Sequence, residues 1–309
     1  MRYLSILLPT LLFIFGCSES EKQQVVDVIQ NINIKNDEKV PTVTHLGSDL
    51  QEVSGLAYID GTLWGHNDSG GKSELYAINS KNGKVLKKVN ILNALNVDWE
   101  DLTFDETHLF IGDFGNNDGM RKDLKIYKIK LADLKTKTSL NAEIIEFSYA
   151  KQSKFTKNAK TNYDCEAFVA YEEKLYLFSK NHANEKTDLY VMGKEAGVEI
   201  AEKIATFDTH ALVTGASMDR ENKVLALIGY SQSGTNKGTP KTWLFSEFVD
   251  ADFFKAKVNK ISWGKPVKAQ IEGVTHVAKG KLYIASEKLN YSNSAGSFTI
   301  NQELYELKY

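Results

Sequence analysis

The chain has 309 residues, of which 42% are hydrophobic and 25% charged, with a formal net charge of -2. That is enough apolar material for one large domain or two ordinary ones. The balanced charge, with no basic stripe, excludes a bulk electrostatic case for binding nucleic acid or an anionic membrane surface.

The N-terminus, MRYLSILLPTLLFIFGC, has one Arg and then an apolar run from Leu4 to Phe15. The run is too short to span a bilayer and has the form of a secretory signal over 1–16. Ile14-Phe15-Gly16-Cys17 resembles a bacterial lipobox, which implies acylation of Cys17, with a cleaved signal or an uncleaved anchor as the other readings. Cys165 is the only other cysteine, so the mature domain is expected to have no internal disulfide, and Cys165 itself reads as a small buried residue. The polar segment from Ser18 to Pro41 reads as a flexible tether, giving 17–41 as lipidated Cys plus tether. Its start, Ser18-Glu19-Ser20-Glu21, resembles surface-export signals of Bacteroidota-type lipoproteins.

From Thr42 onward, short β-branched and aromatic runs are punctuated by Gly, Asn and Asp, an all-β pattern. Five segments share one form: Ser54-Gly-Leu-Ala-Tyr58, Glu100-Asp-Leu-Thr-Phe104, Glu166-Ala-Phe-Val-Ala170, Thr214-Gly-Ala-Ser-Met218 and Glu272-Gly-Val-Thr-His276. Each is followed by a second strand such as GTLWGHND or EKLYLFSK and by a third such as ELYAIN or ELYELKY. The anchors are spaced by 46, 66, 48 and 58 residues, which suits one four-stranded blade per repeat. The fifth repeat reaches Tyr309 without a fourth strand, and TVTHL (Thr42 to Leu46) is predicted to supply it. The expected fold over 42–309 is therefore a five-bladed β-propeller, closed by an N-terminal strand that completes the last blade. An open sandwich of similar hairpins is the competing architecture, but it does not require the same anchor in every repeat.

Because each blade's first strand lines the channel, Ser54, Glu100, Glu166, Thr214 and Glu272 should converge at one face. Carboxylates brought together there repel by about 4 kcal/mol per pair at 4 Å with an effective dielectric near 20. A bound cation relieves this, and an oxygen-only donor set of irregular geometry suits Ca2+ better than zinc or magnesium. Asp98 and Asp164 lie two residues before anchor glutamates, as additional ligands or supports for them. Asp101 reads as a turn or rim residue. The alternative role for the glutamates is to bond backbone amides of the neighbouring blade and hold the ring together.

The anchor order Ser, Glu, Glu, Thr, Glu is similar to the central site of five-bladed calcium-dependent apyrases and nucleotidases, where inner strands contribute Ser, Glu, Glu, Ser, Glu. EVSGLAY and NVDWEDLTF also resemble the SdiA-regulated and esterase-like phytase propellers, and NDSG, DWEDL and GDFGNN resemble envelope proteins of Bacteroidota. The resemblance spans 42–309 and implies the fold and an axial calcium ion at the five anchors more strongly than any activity.

Loops after the second strands should surround the anchors with His66, Asn67, Asp68, Asp113, Asn116, Asn117, Lys180, Asn181, His182, Tyr230, Ser231, Glu287 and Lys288. These residues support a calcium-dependent phosphohydrolase, with Asp68 or Asp113 as general base and Lys180, His182, Lys288 or Arg121 on phosphate charge. They equally support a binding module for a small anionic ligand, glycan or protein partner, with Tyr230, Trp64, Phe114 and Tyr291 as candidate stacking surfaces. No Gly-rich phosphate loop is present, and the cations are scattered, so binding is placed first. Glycoside hydrolysis ranks last because the central glutamates are committed to one another or to a metal. Ser54 lacks the G-x-S-x-G elbow of serine hydrolases. The sequence thus points to a monomeric lipoprotein of the outer membrane, periplasmic or surface-displayed.

Overall fold

The period-2 runs become strands joined by turns whose residues explain them. Asp60 and Gly61, both at positive φ (46° and 81°), turn Val53–Ile59 back into Thr62–Asn67 as a two-residue hairpin requires. The computed structural model describes residues 32–38, 40–232, 238–263, 269–293 and 296–309. The leader expected over 1–16 and the lipidation site expected at Cys17 lie outside them.

Five antiparallel units make up the ring, the first four each built from strands taken in chain order. The first comprises Val53–Ile59, Thr62–Asn67, Glu74–Ile78 and Val85–Ile91; the second Trp99–Phe104, His108–Asp113, Lys125–Lys130 and Glu143–Tyr149. The third comprises Cys165–Tyr171, Lys174–Ser179, Thr187–Gly193 and Gly197–Phe207; the fourth Leu212–Asp219, Val224–Tyr230, Pro240–Ser246 and Lys257–Trp263. The last, Ile271–Ala278, Lys281–Ser286 and Glu303–Lys308, takes its outer strand from Thr42–His45, with Thr42 opposite Tyr305 and His45 opposite Glu303. Successive first strands pack side by side, and the fifth packs back on the first, so the protein is an all-β propeller whose ring is closed by its N-terminal strand.

The apolar faces meet between blades. One buried cluster lies between each neighbouring pair, for example Trp64, Trp99 and Tyr127 between the first two and Trp263, Ile271 and Tyr305 between the last two. Trp64 and Phe114 are core residues, which removes them as stacking surfaces for a ligand, and Cys165 is buried as expected. Further pairings decorate the ring, among them Ser139–Leu140 running parallel to Val85–Ile91 on the outer edge of the first blade. Within the segment expected to be a tether, Ile32–Glu38 runs parallel to Lys257–Trp263 on the outer edge of the fourth blade. Glu143–Tyr149 and Gly197–Phe207 pair in parallel, joining the outer edges of the second and third blades. A hairpin of Leu289–Asn293 and Gly296–Ile300 is inserted into the fifth.

The sequence repeat has a backbone counterpart. In all five first strands the pairing register slips at the anchor, between Val53 and Leu56, Trp99 and Asp101, Cys165 and Ala167, Val213 and Gly215, and Ile271 and Gly273. Such bulges add an unpaired residue and redirect its side chain, which is how five equivalent positions are turned from the ladder toward the axis. Immediately after the anchor the strands approach so closely that a Cβ at Gly273 would overlap the carbonyl of Ser54, and one at Gly55 would press on the amide of Leu102.

At that same position the second blade has Asp101. Its fully buried carboxylate accepts from the backbone N–H groups of Leu102 (2.8 Å), Phe168 (3.2 Å) and Ala216 (3.1 Å), linking three blades across the channel. Asp101 is therefore a ring-joining residue, not the turn or rim residue expected. Asp101→Ala would strand the amides of Phe168 and Ala216, at about 1–3 kcal/mol for each buried unsatisfied donor. Urea denaturation is expected to show a loss of about 2–4 kcal/mol; a loss under about 1 kcal/mol would mean the amides find other partners.

Candidate functional site

The bulges aim Glu100, Glu166 and Glu272 into a pocket of about 740 Å³ at one end of the channel. The two hydroxyl anchors do something else. Ser54 Oγ donates to the carbonyl of Glu100, and Thr214 Oγ1 donates to that of Ile271 at 2.6 Å, so each pins its blade to the next. The ring-holding role considered for the glutamates thus belongs to the serine and threonine.

The ends of the second strands deliver the remaining lining. Asp68 follows Thr62–Asn67, Lys180 and His182 follow Lys174–Ser179, and Tyr230 ends Val224–Tyr230; all four face the pocket. Of the residues expected there, Asn117 and Ser231 also line it, but His66, Asn67, Asn116, Asn181 and Glu287 do not, nor do Arg121 and the two catalytic candidates Asp113 and Lys288. Asp113 is buried with its carboxylate on Arg121 Nη2 at 2.9 Å and on the backbone N–H of Asp98 at 3.1 Å, so it orients the Asp98 loop rather than serving as a base. Lys288 lies in a separate shallow groove beside Asp49, Gln51 and Glu52, with its Nζ on Gln51 Oε1 at 3.4 Å.

One side of the pocket is a carboxylate cluster. Asp68, Asp98 and Glu100 each offer an oxygen, and the three oxygens lie within 4.8 Å of one another. Glu100 is only 5% exposed, and among the described residues its carboxylate has no hydrogen-bond or ion-pair partner. Gly115 passes directly over it, where a Cβ would overlap both Glu100 Oε1 and Asp98 Oδ2. Burial, reinforced by Glu166 and Asp68, holds the Glu100 carboxyl well above the usual carboxylate range. Burial and then Asp68 push Asp98 up to about 7. Three converging oxygens with no internal counter-charge in contact, one of them buried and unpartnered, fit a hard cation such as calcium.

The other side carries its own positive charge. Lys180 Nζ lies 2.5 Å from Glu166 Oε1 and 6.0 Å from the Tyr230 ring centroid. Burial opposes its charge, but Glu166, Tyr230, Glu272 and Asp164 together raise its pKa well above the ordinary lysine value. His182 Nε2 is bonded to Asp164 Oδ2 at 2.9 Å, and Asp164 Oδ1 accepts from the backbone N–H of Asn116 at 2.7 Å, which fixes the imidazole at the pocket wall. Burial raises Glu272 to about 7, and burial together with Glu272 raises Glu287 to about 9.

No family model and no curated protein matches the chain. Among solved structures it is similar to a glucose dehydrogenase (7% identity, TM-score 0.46, 87% of this chain and 100% of that one). It is also similar to a hypothetical selenium-binding protein from Sulfolobus tokodaii (10%, 0.41, 84% and 83%). A third likeness is to hydrazine synthase from Kuenenia stuttgartiensis (11%, 0.38, 85% and 68%). None of these distant likenesses bears on the site.

The raised carboxyls give the cation-free protein a defined pH dependence. Asp98 and Glu272, near 7 when folded against ordinary values of 3.8 and 4.5, bind protons more tightly in the folded state. Their contribution to stability is complete below about pH 4 and is lost as pH rises through about 7. In chelator, the melting temperature is expected to fall between about pH 5 and pH 8, read by differential scanning fluorimetry; a rise over that interval would contradict the protonated site.

Proposed function

We propose that the protein is a cell-envelope lipoprotein, anchored through Cys17, whose propeller binds a small ligand through a calcium ion held by Asp68, Asp98 and Glu100. The observation that carries the reading is the buried, unpartnered Glu100 carboxylate within a three-oxygen cluster beneath Gly115. The pocket's volume of about 740 Å³ suits a small molecule rather than a broad protein face. An oxygen-rich ligand such as a glycan or carboxylate would complete the ion's coordination and lie against Tyr230. The anchoring rests on the apolar leader and the lipobox-like Ile14-Phe15-Gly16-Cys17.

A second reading, calcium-dependent phosphoester hydrolysis, is favoured by one arrangement. His182, held by Asp164, and Lys180 face the same pocket as the carboxylate cluster. There the ion would bind phosphate oxygen and water, His182 would accept the water's proton, and Lys180 would offset developing negative charge.

Isothermal titration is expected to show one calcium ion bound by the native protein and none by Asp98→Asn, Glu100→Gln. At a hundredfold excess over Kd, calcium should stabilise the native fold by about 2.7 kcal/mol. Equal melting temperatures in calcium and in chelator would refute the metal. In a phosphoester panel, calcium-dependent turnover abolished by His182→Ala would replace the binding reading with the hydrolytic one. Cys17→Ala is expected to move the protein from the membrane to the soluble fraction on cell fractionation; retention in the membrane would overturn the anchor.

A further inference from the structure

The carboxylates around the pocket fall into two sets that are neutralised differently. Asp68, Asp98 and Glu100 form no ion pair with an ammonium or guanidinium among the described residues; Lys180 and Arg121 act on Asp68 and Asp98 only from beyond contact. Glu166, only 3% exposed, is bonded to Lys180, itself 6% exposed. Lys180 reaches Glu166 from a different position in the third blade, past the end of Lys174–Ser179, while Glu272 acts on it from the fifth blade and Tyr230 from the fourth. An ammonium therefore stands among carboxylates that the repeat alignment makes equivalent to Glu100. It fills, by a covalently tethered charge, the place where a mobile cation would otherwise be drawn.

We propose that Lys180 is the pocket's resident cation: it occupies the Glu166 and Glu272 half of the axial ring, confines an exchangeable divalent ion to Asp68, Asp98 and Glu100, and sets the stoichiometry at one. The inference rests on the calcium reading of this pocket and adds the residue that limits where an ion sits. A buried carboxylate deprived of its partner is strongly disfavoured, so a neutral residue at 180 leaves Glu166 facing Glu272 with a demand for positive charge. Glu166 and Glu272 line the same pocket, and a divalent ion drawn between them would meet that demand. A guanidinium at 180 keeps the charge and leaves no such demand.

The test is calcium stoichiometry by equilibrium dialysis and titration calorimetry on the native protein, Lys180→Met, Lys180→Arg, and Lys180→Met combined with Glu166→Gln. One ion in the native protein, two in Lys180→Met, and one again in both Lys180→Arg and the double variant support the proposal. One ion of unchanged affinity in Lys180→Met overturns it and leaves the calcium reading intact. No ion in the native protein but one in Lys180→Met, lost again in the double variant, refutes the carboxylate-cluster site while upholding Lys180. No ion in any of them refutes both, and a second ion gained by Lys180→Arg overturns the charge exchange. Should Lys180→Met fold poorly, it is refolded with calcium beside Lys180→Gln: rescue of both supports the exchange, and failure of calcium to rescue either overturns it.

Discussion

Each first strand is hydrogen-bonded to its own blade along one edge only, and its other edge meets the next blade without a continuous ladder. Buried backbone groups left there must find partners or destabilise the ring. Side chains provide them from the neighbouring blade. Thr103 Oγ1 accepts from the N–H of Ala170, Ser217 Oγ from that of His276, and Thr275 Oγ1 from that of Tyr58. Ser54 and Thr214 donate to carbonyls in the same way, and Asp101 serves two further blades at once. With the channel narrowed by glycines at close approaches, the register between blades is fixed by these polar crossings as much as by the apolar clusters outside them.

That arrangement also sets the electrostatics of the pocket. Polar crossings occupy the two hydroxyl anchors, so the three glutamates are the anchors left to face the open end. They sit where burial disfavours their charge, and their environments diverge: Glu166 acquires a lysine, while Glu100 acquires only more carboxylates. The Asp113 and Arg121 pair, close by but turned away, braces the loop that holds Asp98. The acidity of the pocket thus follows from geometry imposed on the ring as a whole, with the local sequence deciding which carboxylate is neutralised from within.

Much of the architecture was legible because the repeat is carried by side chains at fixed intervals. The anchors, the four strands per blade and the closing role of Thr42–His45 all follow from aligning short segments and counting. What escaped was anything decided by distant partners. Ile32–Glu38 has the composition of a tether, and its partner strand begins at Lys257, beyond the reach of local pattern. Asp101 carries the local preference of a turn former; the one sequence sign of its role is that Gly55, Gly215 and Gly273 fill the same place in other repeats. The convergence of glutamates was readable, but not the diversion of Ser54 and Thr214 to carbonyls, which depends on spacing between blades. Nor could spacing alone show that Lys288 and Asp113 would be held outside the pocket while Asp68 and His182 entered it.

The closing strand has a consequence for the order of assembly. Thr42 and Glu303, bonded at 2.7 Å, are 261 positions apart, so the latch joins one of the earliest domain segments made to one of the last. Bringing such ends together costs about 5 kcal/mol in chain entropy on a simple length scaling. During synthesis the ring must remain an open arc, with Thr42–His45 unpaired, until the final strand emerges. Glu272 belongs to the blade that this latch completes, so the acidic pocket can be finished only when the circle is. The pocket and the closed ring would then appear together, which keeps an arc with exposed edges from presenting a finished acidic pocket.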